Sequence, residues 1–184
     1  MAVLIEGLCV VVNVNVNAIA TKHTGGTKAF AAEVPNASLC ADEELARVGF
    51  MTPDDARGYV EHLERRGLKY LENHSAVDIV VVDQRTGPVV ACNWVTFGRV
   101  DWDKDPKRPV AVCRAHPTRV TQIAAPRGWV FERSLSAQHV FVENGKIPAS
   151  LQPVRQEDGL DVYRDAETGQ EFYVARSRPP GDPN

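Results

Sequence analysis

The spacing of apolar residues between positions 53 and 66 predicts an amphipathic helix. Thr52 suits the N-cap, and a proline follows at the first helical position, where its missing N–H costs nothing. Gly67 can supply the left-handed residue that ends a helix, whereas Gly58 is a weak position inside it. The sequence therefore predicts a helix over Pro53–Arg66. Its apolar face is formed by Ala56, Tyr59, Val60 and Leu63.

The residues after this helix predict a β-hairpin and then an interior strand. Lys69–Leu71 is a short extended segment, and the polar residues 72–75 suit a turn. Ala76–Val82 is rich in β-branched residues and ends at a Gly-Pro pair. Both faces of this strand are mostly apolar, so we expect it to be covered on both sides.

The first forty residues show both strand-like and helix-like spacing of apolar residues. Val3–Val16 begins as an apolar run and ends in alternation with asparagines, which predicts one strand that emerges from a core. A weak helical stretch follows, is broken at Gly25 and its neighbouring glycine, and resumes over Thr27–Glu33. Residues 43–48 fit a helical turn or a strand equally well.

From Val89 onward nearly every apolar run is short and rich in β-formers. These predicted strands are Val89–Phe97, Val110–Arg114, Arg119–Ala124, Trp129–Glu132, His139–Val142, Leu151–Val154, Leu160–Tyr163 and Glu171–Ala175. Asn144-Gly145, Asp158-Gly159 and Thr168-Gly169 suit tight hairpins, and the last three runs resemble a meander.

Together these patterns predict an α+β fold, in which a mixed helix and strand N-terminal half continues into a mostly antiparallel β half. We expect one domain over residues 1–176. Its helix-bearing part is about 1–88 and its β-rich part about 89–176. Three prolines within residues 177–184 predict a disordered tail.

Composition is that of an ordinary soluble globular protein, with 43% hydrophobic and 24% charged residues among 184. The formal net charge of −3 argues against non-specific attraction to nucleic acid or acidic lipid. The N-terminal apolar run lacks the charged start of a secretory signal and is too short to span a bilayer. We therefore expect a cytoplasmic protein that does not enter the membrane.

The four cysteines show neither a paired motif nor zinc-site spacing. We expect four free thiols and no bound metal or cofactor. The four are Cys9, Cys40, Cys92 and Cys113.

Residues 44–83 resemble a winged helix-turn-helix. Glu44-Leu45-Ala46 is similar to the end of a preceding helix, Gly49 to the turn, Pro53–Arg66 to the recognition helix, and Gly67-Leu68 to the entry of the wing. The resemblance covers under a quarter of the chain and implies a DNA-binding regulator. Charge argues against it. Residues 42–68 hold seven acids and only four arginines, and a phosphate backbone would repel this net negative charge.

A basic region lies elsewhere, over Asp101–Ser134, where seven basic residues outnumber four acids and tryptophans are interleaved. Arginine, tryptophan and histidine together can bind a small anionic or planar ligand or a protein partner. The alternative is a set of solvated charges that protect strand edges. The candidate ligand- or partner-binding residues are Trp102, Arg114, His116, Arg119, Arg127 and Trp129.

Other motifs are incomplete. Asp101, Asp103 and Asp105 have the spacing of calcium-loop ligands, but Pro106 stands where that loop needs glycine. Residues 25–28 lack the spacing of a phosphate loop. Ser134, Ser136 and His139 are close in sequence but lack a nucleophile elbow.

No catalytic residue can be named from these patterns. The best expectation is a non-catalytic soluble binding or protein-interaction domain. The alternatives are a winged-helix DNA-binding regulator and a small Cys- or Ser-dependent hydrolase.

Overall fold

The computed structural model describes residues 1–14, 18–117, 122–138, 140–141, 151–157, 160–165 and 171–175. Internal contacts divide the chain into an N-terminal unit, Met1–Ser134, and a C-terminal unit, Leu135–Asn184. The α+β class is confirmed, since helices accompany several mostly antiparallel sheets. A single domain over 1–176 stays a prediction, and the predicted tail 177–184 lies outside the described residues.

The described helices are mostly short. They are α1 (Gly26–Ala32), α2 (Pro53–Arg65), α3 (Leu135–Gln138), a π-helix (Ala18–Lys22) and two 3-10 helices (Trp102–Lys104 and Phe131–Arg133). None of the helices in the described ranges is long and apolar enough to cross a membrane.

Strands of the N-terminal unit form two main sheets and one small hairpin. The first sheet has the order β3-β4-β2-β7-β8, all antiparallel. Its strands are β2 (Leu8–Asn13), β3 (Cys40–Ala41), β4 (Leu45–Phe50), β7 (Ile79–Asp83) and β8 (Gly87–Pro88). The hairpin is β5 (Leu71–Glu72) with β6 (Ser75–Ala76).

The second sheet has the order β11-β1-β10-β9. Strand β1 runs antiparallel to β10 and parallel to β11. The strands are β1 (Ala2–Ile5), β9 (Val95–Asp101), β10 (Pro109–Ala115) and β11 (Ile123–Ala124). Because β1 pairs with β10, the predicted helix-bearing and β-rich parts share one sheet.

The prediction of one strand over Val3–Val16 is wrong. Gly7 has φ of 61° and separates β1 from β2, which join different sheets. An apolar run gives no sign of such a switch, because both strands are buried on both faces.

Helix α2 confirms the prediction made from its capping residues. The Thr52 side chain accepts a hydrogen bond from the Asp55 backbone N–H at 3.2 Å. At the other end Gly67 has φ of 103°, and the Leu68 N–H donates to the Leu63 carbonyl. This is the hydrogen-bonded C-terminal motif that glycine favours.

The first sheet is buried on both faces, as the sequence of β7 predicts. One face packs on α2, the π-helix and α1, in a cluster that includes Val10, Val48, Tyr59, Leu63 and Ile79. The other face packs on the second sheet, in a cluster that includes Val3, Cys9, Val80, Ala111 and Cys113. The N-terminal unit is therefore a helical layer on a two-sheet sandwich.

The segment that resembles a winged helix-turn-helix folds differently. Residues 45–50 form strand β4, not the end of a helix, and β7 is an interior strand rather than a wing. Helix α2 lays its apolar face on the sheet. The resemblance therefore gains no support from the fold.

Two strand predictions in the second half are wrong. Of the predicted strand Val89–Phe97, only the last three residues belong to a strand, β9, which begins at Val95 and continues to Asp101. Trp129–Glu132 contains no strand, because Phe131–Arg133 turns into a 3-10 helix.

In the C-terminal unit the predicted meander is confirmed. The sheet has the order β12-β15-β14-β13, with β12 parallel to β15 and the other pairs antiparallel. Its strands are β12 (Val140–Phe141), β13 (Leu151–Glu157), β14 (Leu160–Asp165) and β15 (Glu171–Ala175). The three predicted turn dipeptides lie outside the described residues.

Candidate functional site

Two predicted site residues, Trp102 and Trp129, meet although they are far apart in sequence. Their ring centroids lie 4.6 Å apart with an interplanar angle of 66°, an edge-to-face contact. Trp102 opens the 3-10 turn between β9 and β10, and Trp129 follows a tight turn after β11. Both indoles are half-buried.

The Trp129 indole is fixed by a carboxylate from the link between the first two strands. Its Nε1–H donates to Glu6 Oε2 at 2.7 Å. A hydrogen bond to a charged acceptor is stronger than one between neutral groups. This bond therefore fixes the orientation of the ring.

A third ring and an arginine complete what we call the tryptophan cluster: Glu6, Trp102, Arg108, Trp129 and Phe131. Phe131 lies 6.3 Å from Trp129, and the Arg108 guanidinium lies 5.5 Å above the Phe131 ring. Arg108 also pairs with Glu132 at 2.9 Å and with Asp105 at 3.5 Å. These contacts hold together three separate parts of the chain.

The sequence neighbours of this cluster include exposed apolar and basic side chains. Val130, between two of the aromatic residues, is 48% exposed. Four exposed basic residues nearby in sequence have no acidic partner within the described part of the chain: Lys104, Lys107, Arg127 and Arg133. Of the neighbouring acids, Asp101 and Asp103 are likewise exposed, so these six side chains carry an excess of two positive charges. The groups already bonded at the cluster, Glu6, Asp105, Arg108 and Glu132, carry an excess of two negative charges.

The backbone beneath Trp102 is strained. Asp103 and Lys104 have φ of 54° and 61°, a left-handed conformation that residues with a Cβ rarely adopt. Such conformations persist only where the surroundings impose them, and they occur often at binding sites.

Two other predicted site residues, Arg114 and His116, lie apart from this cluster. Arg114 is six residues along β10 from Arg108, which pairs with Trp102, so about 20 Å of strand separates them. His116 is exposed just beyond β10, with its Nδ1 3.4 Å from Thr96 Oγ1. Arg127 belongs to the turn before Trp129, and Arg119 lies outside the described residues.

Few groups in the described ranges suit nucleophilic or metal chemistry. Ser134 is buried and donates its hydroxyl to the Phe131 carbonyl at 2.7 Å, while His139 lies outside the described residues. No three His, Cys, Asp or Glu side chains of these ranges are arranged to hold a metal ion. Asp105 of the calcium-like spacing pairs with Arg108 instead.

The four thiols share one core, which sequence spacing could not show. Cys9, Cys40 and Cys113 are buried between the two sheets, and the half-buried Cys92 packs against them. Burial raises the pKa of all four, to about 11 for Cys40. They are therefore protonated and poorly nucleophilic at neutral pH.

A second polar constellation, absent from the sequence predictions, lies between the helices. Glu33, at the end of α1, accepts hydrogen bonds from His62 Nε2 at 2.9 Å and from Arg66 Nε at 2.8 Å. A second Arg66 nitrogen contacts the other carboxylate oxygen at 2.5 Å. Burial opposes the charge of Glu33, but the His62 hydrogen bond and the Arg66 charge outweigh it, so its pKa is lowered.

His23 and Tyr59 complete this histidine cluster, together with Glu33, His62 and Arg66. The His23 side chain is wholly buried, its Nε2 lies 3.6 Å from Glu33 Oε2, and neither ring nitrogen has a hydrogen-bond partner among the described residues. Burial lowers the pKa of His23, because the charged ring would lose its water. Within the same ranges the buried Tyr59 hydroxyl also has no partner, and burial raises its pKa.

The site residues that the sequence patterns missed contact partners that are far away along the chain. Glu6 meets Trp129 across 123 residues, and Glu33 meets Arg66 across 33. No local periodicity encodes such pairs. Of these residues, only Phe131 and Arg108 lie inside the basic region that the sequence indicates as a candidate binding region.

Comparisons with protein-family models, curated proteins and solved structures find no match to this chain.

Proposed function

We propose that this protein is a non-catalytic binding domain, and that its partner is a protein segment docking on the tryptophan cluster. The observation that carries the proposal is the Trp102–Trp129 pair, which is braced by Glu6 yet only half-buried. Tryptophan and arginine are the residues most enriched where protein partners gain their binding energy.

The tryptophan cluster has features of an interface that is ready to bind. Its rings are held by a charge-assisted hydrogen bond and a cation–π contact, so little side-chain freedom is lost on docking. Val130, between Trp129 and Phe131 in sequence, offers exposed apolar surface. A partner would therefore gain apolar burial on a preorganised surface.

The unpaired charges near the cluster favour an acidic partner. Four exposed cations that lack an acidic partner in the described ranges lie near the cluster in sequence, against two exposed aspartates. Complementary charge speeds encounter and selects among partners more than it adds affinity. The fitting ligand is an acidic peptide segment that presents one large aliphatic or aromatic side chain to the indoles.

The thiols and hydroxyls give the hydrolase alternative no comparable support. The cysteines are protonated, and Ser134 donates its hydroxyl to a backbone carbonyl. Nucleophilic catalysis needs a positioned base beside an activated nucleophile. No such pair is found among the described side chains.

A peptide-display library panned against the whole protein tests the proposal. We expect enriched peptides to place Asp or Glu around a Leu, Phe or Trp. Val130→Asp should weaken their binding at least about tenfold, because it puts a carboxylate against an acidic ligand. Val89→Asp is the matched control, since Val89 is 50% exposed outside the cluster, and it should change affinity less than about twofold.

Enrichment no better than on an unrelated protein would contradict the proposal. So would peptides that bind Val130→Asp and Trp102→Ala as tightly as the parent protein. Circular dichroism of each variant separates lost binding from lost structure.

A further inference from the structure

The segment of residues 18–33, which we call the helical flap, is fastened to helix α2 mostly by polar contacts. It comprises the π-helix, the turn at His23–Gly25, α1 and Glu33. The Thr24 N–H donates to the Arg66 carbonyl at 2.8 Å, and Glu33 binds His62 and Arg66. Polar contacts at the edge of a core depend on protonation in a way that apolar contacts do not.

The apolar attachment of the flap is small. Of its residues, Ala18, Ile19 and Phe30 belong to the core cluster on the helical side of the first sheet. The sandwich, by contrast, is joined by long antiparallel strands with a large buried core. Local opening of the flap should therefore require less free energy than unfolding of the sheets.

His23 lies at the point where the flap meets α2. Its ring is enclosed and packs edge-to-face on Phe30 at 5.7 Å, and neither nitrogen bonds to any described group. A neutral ring leaves one donor and one acceptor unpaired there, whereas a protonated ring would bury a positive charge with the Glu33 carboxylate 3.6 Å away, beyond hydrogen-bond distance. The pocket therefore accommodates neutral histidine better than its cation.

The charged groups around His23 only partly offset the effect of its burial. Glu33, its acidic neighbour in the described part of the chain, favours a positive ring, but that carboxylate already accepts from both His62 and Arg66. From α2, Arg66 and His62 oppose a positive charge on His23. The adjacent Lys22 is paired with Asp78, which directly precedes β7.

We propose that protonation of His23 in mildly acidic solution releases the helical flap from α2 while the two sheets stay folded. Burial lowers the pKa of His23 in the closed flap. By linkage, the proton binds more tightly to an open state in which water reaches the ring, so acid shifts the population towards opening. Opening uncovers the helical side of the core around Tyr59 and Leu63.

Hydrogen exchange followed by mass spectrometry at about pH 7.5 and about pH 5.5 tests this, with rates divided by those of an unstructured peptide of the same sequence. The opening constant of residues 26–33 should rise by up to about tenfold between the two conditions, the limit for one histidine that binds no proton when closed. Amides of β2 and β10, which exchange by global unfolding, should keep opening constants well below those of the flap at both pH values, although global unfolding is linked to the same proton.

His23→Phe should abolish the pH response, since phenylalanine fills the same space beside Phe30 without titrating. His23→Leu is a second variant of the same kind. His74→Asn is the control, because His74 is exposed in the β5–β6 turn and should leave the response intact.

Three results would overturn the proposal. The first is a flap in the parent protein whose exchange is the same at both pH values. The second is a flap whose opening constant equals that of β2 and β10 at both pH values, which would mean that it opens only by global unfolding. The third is a pH response that survives in His23→Phe or His23→Leu, which would assign the titration to His62 or another group.

Discussion

The tryptophan cluster and the histidine cluster have similar ingredients and opposite exposure. Each joins aromatic rings, one carboxylate and one arginine from parts of the chain far apart in sequence. In the tryptophan cluster the indole of Trp129 is hydrogen-bonded and apolar surface faces water. In the histidine cluster the apolar surface is covered, and polar atoms of His23 and Tyr59 have no hydrogen bonds to described residues.

This difference separates two uses of the same chemistry. An exposed aromatic surface whose polar atoms are bonded costs little to hold and offers its free face to a partner. A buried polar group without partners costs stability, and that cost changes with pH when the group titrates. The first arrangement therefore suits binding, and the second suits a response to acidity.

The largest expected difference is in the free energy of unfolding, between alanine substitutions at Gly67, near the histidine cluster, and at Gly128, near the tryptophan cluster. Gly67 and Gly128 both have positive φ, 103° and 79°, but a Cβ on Gly67 would lie 2.4 Å from the Lys22 carbonyl oxygen, whereas one on Gly128 meets no described atom within 4 Å. Gly67→Ala should lower the free energy of unfolding by about 3 kcal/mol, and Gly128→Ala by about 1 kcal/mol. Urea denaturation measures both, and equal losses would contradict the close approach at Gly67.

A smaller loss is expected at the ion pair that fastens the flap to the residue before β7. Lys22 Nζ lies 2.6 Å from Asp78, whose side chain is 1% exposed. Lys22→Met should cost about 2 kcal/mol, less than for a fully buried pair, because Lys22 is part-exposed and Asp78 keeps the Lys69 N–H as a donor. The control Arg57→Ala removes an exposed pair with Asp54 and should cost under about 0.5 kcal/mol. A loss no larger than that of the control would show that Asp78 is well hydrated.

Stability should fall with acid through the histidine cluster. The pKa of His23 is lowered on folding, so its contribution is present above its ordinary value of 6.5 and is lost as pH falls below it. The slope is at most about 1.4 kcal/mol per pH unit for one group. The Glu33 pKa is lowered from 4.5, so its contribution is lost at still lower pH, as pH falls through the folded value.

Urea denaturation across this range should show the first fall in the parent protein and a flatter curve in His23→Phe. Stability that rises from about pH 7 to about pH 5 would contradict the lowered pKa of His23, because a buried neutral ring must lose stability in acid.

The smallest effect is expected at Gly58, on the outer face of α2. A Cβ there meets no described atom within 4 Å, so Gly58→Ala gains helix propensity without a clash. Unfolding free energy should rise by about 0.7 kcal/mol. Because Gly58 belongs to neither cluster, peptide binding and the pH response of the flap should not change. A change in either would show that α2 couples them.

Helix α2 and strand β7 could be predicted because their signals are local. The Thr52 cap, the apolar spacing and Gly67 all lie within sixteen residues, and the two apolar faces of β7 predicted its interior place. The local sequence of β4 fits a strand and a helical turn equally well, and only its pairing with β2 in the folded protein distinguishes them.

The candidate site was predicted in part. Composition singles out Trp102 and Trp129, but their contact depends on how β9, β10 and β11 meet. Nearness in sequence groups Arg114 and Arg127 with them, but Arg114 lies near the far end of β10. His23 and Glu33 gave no signal, because their roles come from burial and from charges that only the fold assembles.

The reaction rates of the thiols buried between the two sheets can measure how often the sandwich opens. A thiol reagent in neutral solution meets Cys92 first, since it alone of the four is half-buried. Modification of Cys9 or Cys113 must wait until the sheets separate, because those thiols are enclosed and protonated. Labelling rates at these positions would thus report the slowest fluctuation of the unit, with no probe added to the chain.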